Sequence, residues 1–78
     1  MHELVLYTRE GCSLCEKAKA AILVLRRELA FGFREVDIGW SGDLYEDHKH
    51  DIPVIEIDGK RAFKHRVDVL ALKERLSS

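Results

Sequence analysis

Six apolar side chains recur at helical spacing between Leu14 and Leu29, namely Leu14, Ala18, Ala21, Ile22, Leu25 and Leu29, and this stretch stands between two short strand-like runs. Glu16, Lys17, Lys19, Arg26, Arg27 and Glu28 fill the opposite side, the pattern of a helix with one stripe on a core and the other in water. The spacing predicts a helix over Ser13–Ala30, ended by Gly32. "ELVLY" (Glu3–Tyr7) reads as a strand apolar enough to be buried on both faces, and "FREVDI" (Phe33–Ile38) as a second, more polar strand at an edge. Strands joined through a helix lie parallel, with a right-handed crossover. The first 38 residues are therefore expected to form one βαβ unit.

The remaining residues extend that unit. "SGDLYEDHKH" (Ser41–His50) suggests a short helix starting from a Ser cap. Asp58-Gly59 separates "VIEI" from "RAF" and is a strong two-residue hairpin signal, so the third and fourth strands are expected to be antiparallel. "VDVLALKERL" (Val67–Leu76) closes the chain as a helix with Val69, Leu72 and Leu76 on one face. Asp68 lies near its start, where a carboxylate complements the dipole. The order is βαβαββα, an α/β fold with a four-stranded mixed sheet flanked by three helices. With 78 residues and no repeat or linker, residues 1–78 are expected to be a single domain.

Charge and hydropathy exclude several functions. Thirteen basic against 14 acidic residues leave a net charge of -1, which offers no field for nucleic acid or an anionic membrane. No window approaches the roughly 20 apolar residues that span a bilayer. The opening "MHELVLYTREG" lacks the basic head and long apolar middle of a signal peptide, so a cytoplasmic location is expected. Nothing in the sequence requires a dimer, and a monomer is expected.

Chemistry concentrates in "YTREGCSLCEKAKA" (Tyr7–Ala20). Cys12 falls at the carboxyl end of the first strand, where ligands gather in folds of this class. Gly11 permits the tight turn before it. At the start of the helix, Cys12 stands near N–H groups that have no intrahelical partner. Those donors and the helix dipole favour thiolate, and can draw a cysteine pKa from about 8.5 to roughly 3.5–7.5. Cys15 lies nearly one turn on, on the same face. Cys12 is the expected nucleophile that opens a partner disulfide, and Cys15 the shielded thiol that resolves the mixed disulfide. A structural bridge would close too short a loop to remove much chain entropy. A tetrahedral zinc site needs four ligands, whereas His48 and His50 stand at i, i+2 on different helix faces and nothing pairs with His65. No metal and no bound cofactor are expected. His2, His48, His50 and His65 are read as surface residues, Asp43, Glu46 and Asp47 as helix surface, and Trp40 as packing over the second strand's end.

Pro53, the only proline, stands where the third strand begins. The cysteine pair after the first strand, Ile52-Pro53 before the "VIEIDGK" hairpin and the closing helix together resemble the thioredoxin superfamily. The short chain with its "YTREGCSLC" site is similar, over nearly its whole length, to the small bacterial glutaredoxin-like proteins. This resemblance implies a thioredoxin-like fold of glutaredoxin type and a cis Ile52-Pro53 peptide beside the cysteines. It also implies thiol–disulfide oxidoreductase activity on protein or small-molecule disulfides by a dithiol mechanism. Carried over residue by residue, it makes Arg9, Ile52, Pro53 and Asp68 substrate-binding: Arg9 as the basic position before the cysteines, Ile52 through its backbone, Pro53 as a platform, and Asp68 as the acidic position before the last helix. Glutathione is then a candidate reductant, and a reductase the other.

The chain also departs from the glutaredoxin pattern. Asp51-Ile52-Pro53 stands for Thr-Val-Pro, and Lys64, His65 and Arg66 lie where a Gly-Gly pair is usual. Two alternatives stay open from the sequence. One is a redox sensor or adaptor that docks an acidic surface through Lys60–Arg66 without turnover. The other is a metal or iron–sulfur site on Cys12 and Cys15.

Overall fold

A computed structural model describes all residues, 1–78. The elements are β1 (Glu3–Thr8), α1 (Ser13–Leu25), β2 (Gly32–Asp37), α2 (Asp43–His48), β3 (Val54–Ile57), β4 (Lys60–Lys64) and α3 (Val69–Ser77). The sheet runs β2-β1-β3-β4, with β1 parallel to β2, β1 antiparallel to β3, and β3 antiparallel to β4. This is the mixed four-stranded sheet with three helices that the sequence predicts, and β2 is indeed an edge strand.

Strand register decides which side chains meet. Leu4 pairs with Ile57 and Leu6 with Ile55, so all four point to one face. There they join Ala18, Ile22 and Leu25 of α1, Phe31, and Leu72 and Leu76 of α3 in one buried cluster. The other face carries Val5, Tyr7 and Glu56, and there Tyr7 stacks on His48 of the six-residue α2. The β3–β4 connection is the two-residue loop Asp58-Gly59, with φ of +54° and +83°, the left-handed pair that matches strand twist in a tight hairpin.

Several boundaries differ from expectation. α1 stops at Leu25 rather than Ala30. Arg27 and Glu28 donate to carbonyls three residues back, and this tightened turn releases the chain so that Phe31 can enter the core at 3% exposure. Gly32 does not end the helix; it opens β2, opposite Glu3. The buried stripe of α1 is Cys15, Ala18, Ile22 and Leu25, while Leu14 stays 39% exposed, so the helix is rolled toward its second cysteine. α2 starts from Gly42 with no side-chain cap in place of the expected Ser41.

The two chain ends are clasped at the far end of the sheet from the cysteines. His2 Nδ1 meets Asp58 Oδ2 at 2.5 Å, and its Nε2 donates to the Ser78 carbonyl. The Asp58 hydrogen bond, then the Ser78 carbonyl, raise the His2 pKa above 6.5. The Glu3 amide, then His2, hold Asp58 below 3.8. A raised histidine stabilises fully below its unfolded pKa and loses that effect as pH climbs through its folded one; a depressed carboxylate stabilises above its unfolded pKa and loses that as pH falls. The clasp is therefore fully formed from about pH 4 to 6.5. Thermal melts of the wild type and His2→Gln are expected to differ in that window and converge toward pH 9. Equal offsets at pH 5.5 and 9 would contradict the clasp.

Candidate functional site

β1 delivers the chain to a turn in which the Cys12 amide donates to the Arg9 carbonyl at 3.3 Å, with Gly11 at φ +82°. Cys12 then caps α1. Its backbone is extended (φ -95°, ψ 107°), its carbonyl accepts from the Glu16 amide, and its Sγ accepts from the Cys15 amide at 3.2 Å. A sulfur thus occupies the place where a Ser or Asp oxygen commonly satisfies the free amides of a helix start. Cys12 and Cys15 are joined as a disulfide, with Cα atoms 5.2 Å apart, within the usual range for a bridge. The sulfurs differ in access. Cys12 is half-buried and opens onto a shallow depression with Gly11, Ser13 and Glu16, whereas Cys15 is 1% exposed.

Cys15 is shielded by the start of the hairpin and by α2. It forms a small buried cluster with Ile38 and Ile52, against which Tyr7, Cys12 and Tyr45 pack. The Ile52-Pro53 peptide is cis, as the resemblance implies, and brings Ile52 beside the cysteines. The Ile52 amide is committed to the His48 carbonyl at 3.1 Å, so the carbonyl is the backbone group that Ile52 can offer a bound chain. Pro53 is fully buried and supports this turn from beneath. Asp68 caps α3, its Oδ1 accepting from the Leu70 and Ala71 amides at 3.0 and 3.2 Å. The sequence placed this carboxylate near the helix start; the structure shows it engaged there.

Two residues depart from their expected roles. Trp40 does not pack into the fold. It is 66% exposed and lies under the Arg9 guanidinium, 4.2 Å from the ring centroid, with Tyr45 at 5.8 Å on the same cation. Arg9 Nε is buried there without a hydrogen-bond partner. Parallel β1 and β2 end side by side at Thr8 and Asp37, which brings Arg9 and Trp40 to the same rim. His48 is the second departure, buried at 8% exposure rather than on the surface. Its ring stacks on Tyr7 at 4.4 Å between centroids, and Arg61 reaches its Nδ1 at 3.4 Å. Tyr7 donates to Glu56 at 3.1 Å, and burial, then that carboxylate, push its pKa above 10. His2, at the chain-end clasp, and His65, facing Asp51, complete the separation of the histidines. No three His, Cys, Asp or Glu side chains converge as a metal cluster, and no helix is long and apolar enough to cross a membrane.

Two depressions flank α1 near the cysteines and differ in charge. One, of about 270 Å³, is lined by Arg9 and Lys19 but also by the four carboxylates of Glu10, Glu16, Glu35 and Asp37. The other, of about 360 Å³, lies between α1 and the loop entering α3; it contains no carboxylate, and its lining includes Leu14, Lys17, Arg66 and Val69.

This architecture has known relatives. A profile of the Glutaredoxin-like domain (DUF836) matches residues 3–77. A glutaredoxin-like protein of Dictyostelium discoideum is 40% identical over an alignment that covers 80% of this chain; the chain spans 63% of that relative's length. Among solved structures, a Nitrosomonas europaea protein superposes with a TM-score of 0.80 at 27% identity, over 96% of this chain and 91% of its own. An X. campestris protein gives 0.74 at 31%, over 95% of each chain. A Halobacterium salinarum thioredoxin, at 16% identity, shares the fold with a TM-score of 0.73 over 97% of this chain and 72% of its own. With a cysteine pair at bonding distance on a helix start and a cis-proline turn packed behind it, the chain has a thioredoxin-like fold and belongs to the glutaredoxin-like domain family.

Proposed function

We propose that the protein is a thiol–disulfide oxidoreductase that reduces protein or small-molecule disulfides through Cys12 and Cys15. The observation that carries this reading is the asymmetry of the pair: a half-exposed Cys12 capping a helix, bonded to a buried Cys15.

In the reduced protein, the Cys15 amide and the helix dipole stabilise negative charge on Cys12 Sγ. The Cys12 thiolate attacks one sulfur of the partner disulfide, forming a mixed disulfide and expelling the partner's other sulfur as a thiolate. Cys15, shielded from solvent and from competing disulfides, then attacks Cys12 Sγ. Its proton passes to solvent or to the departing partner thiolate, the Cys12–Cys15 bridge forms, and the partner leaves with two electrons gained. An external dithiol or two monothiols, supplied by glutathione or a reductase, returns those electrons and restores both thiols. Arg9, the Ile52 carbonyl and Pro53 frame the approach to Cys12 in this reading, and Asp68 holds the start of α3 in place.

The test is the pH profile of Cys12 alkylation in the reduced protein. A midpoint well below the roughly 8.5 of a free cysteine is expected. A midpoint at or above that value removes the basis for Cys12 as the attacking group.

A further inference from the structure

The carboxylate-free groove beside the cysteines has a chemistry of its own. Leu14, the second of the two residues between the cysteines, Ala18 and Val69 give it an apolar floor, and Leu14 and Val69 remain 39% and 44% exposed. Leu70, one residue on, is 75% exposed. Lys17 and Arg66 stand on opposite rims, Lys17 from α1 and Arg66 from the loop before α3. Neither takes part in an ion pair within the chain. Asp68, the nearest carboxylate in sequence to Arg66, has an oxygen committed to the α3 amides. On the other side of α1 the depression holds four carboxylates against two cations. The cysteine pair therefore sits between a cationic, apolar slot and an acid-rich one. A chain approaching Cys12 meets opposite potentials on its two sides, and such asymmetry orients encounters and rejects wrong partners more than it adds raw affinity.

Building on the oxidoreductase reading above, we propose that the groove between Lys17 and Arg66 docks an acidic segment of the partner protein, with an apolar side chain seated against Leu14 and Val69, and that this segment flanks the disulfide to be reduced. Two unpaired cations over an apolar floor suit a Glu/Leu-type sequence. A lysine-rich segment meets like charge there. The groove extends from Leu14 to Ala21 along two turns of α1, room for a short extended segment on either side of a seated apolar side chain.

Two disulfide-closed peptides of identical design test this, one with a leucine flanked by glutamates beside the cystine, the other with lysines in their place. Dithiothreitol supplies the electrons. The ratio of kcat/KM, acidic over basic, is expected to be about tenfold at low salt and to shrink as ionic strength rises. Lys17→Glu and Arg66→Glu are each expected to pull that ratio down to about threefold or less. Because the ratio is taken within one protein, a change in folding or overall turnover does not mimic it. A wild-type ratio near one, or a ratio unmoved by either charge reversal, overturns the docking groove while leaving the oxidoreductase reading intact, provided that 2-hydroxyethyl disulfide is still reduced. Failure to reduce that small disulfide as well overturns the redox reading and the groove with it. Competition by S-methylglutathione that disappears in Arg66→Glu places the tripeptide in the groove and also overturns the proposal.

Discussion

Replacing Cys12 by serine is expected to abolish disulfide reduction, while Cys15→Ser is expected to keep the first chemical step and stall at the second. A serine hydroxyl at position 12 is not appreciably ionised near neutral pH even with the α1 amides beside it, so the loss should be about a thousandfold or more, down to the uncatalysed background. In Cys15→Ser the exposed sulfur remains, and the serine at 15 cannot displace it. The mixed disulfide should therefore accumulate and be visible as a covalent adduct by mass spectrometry on the intact protein. Incubation with an equimolar disulfide peptide, without reductant, is the direct measurement. Adduct formation in Cys12→Ser instead would reverse the roles of the two thiols. Wild-type turnover in Cys12→Ser would falsify the dithiol reading altogether. The asymmetry is set by packing: Cys15 is held at 1% exposure by Ile38 and Ile52, which leaves Cys12 as the sulfur that a large partner can reach.

The second large effect concerns the platform under the site. Ile22 is fully buried where α1 meets Leu4, Leu6 and Ile55 of the sheet. Ile22→Ala removes three carbons from a close-packed core and leaves a cavity, at a cost of about 2–5 kcal/mol. A chain of this length has a total stability on the order of 4–12 kcal/mol, so the variant retains a small margin at best. Urea unfolding should show a loss of unfolding free energy of that size, whereas Leu23→Ala, one residue on but 45% exposed, should stay within about 0.5 kcal/mol of wild type. A drop below about 1 kcal/mol in Ile22→Ala would show that the core relaxes around this position. In the folded fraction, loosening of α1 should also blur the position of Cys12, since the same helix carries both residues.

What the sequence made legible was local. The strand–helix–strand order, the Asp58-Gly59 hairpin and the start of α1 at the cysteines follow from periodicity and turn chemistry within a few residues. Both central residues of the hairpin have the positive φ that the Asp-Gly pair signals. What escaped was set by contacts across the fold. Aliphatic periodicity runs the stripe through Leu14; the Ile52-Pro53 turn instead buries Cys15 and leaves Leu14 facing the groove. Residues 26–30 keep good helix formers, so periodicity carries α1 to Ala30, and the burial of Phe31 in the core accounts for the earlier turn. The polar neighbours of His48 in α2 point to a surface residue, yet a ring 41 positions away, Tyr7, covers it. The Arg9–Trp40 stack depends on the neighbouring ends of two parallel strands, a relation visible only once the strand pairing is fixed.

A helix normally opens on an oxygen whose character never changes. Here the opening atom is Cys12 Sγ, held to the Cys15 amide. As a thiolate it is an anionic acceptor and grips that amide firmly; joined to any second sulfur it is neutral and grips less. The first coil of α1 is thus tethered by a knot that slackens whenever the sulfur gains a covalent neighbour, the moment at which Cys15 has to swing outward.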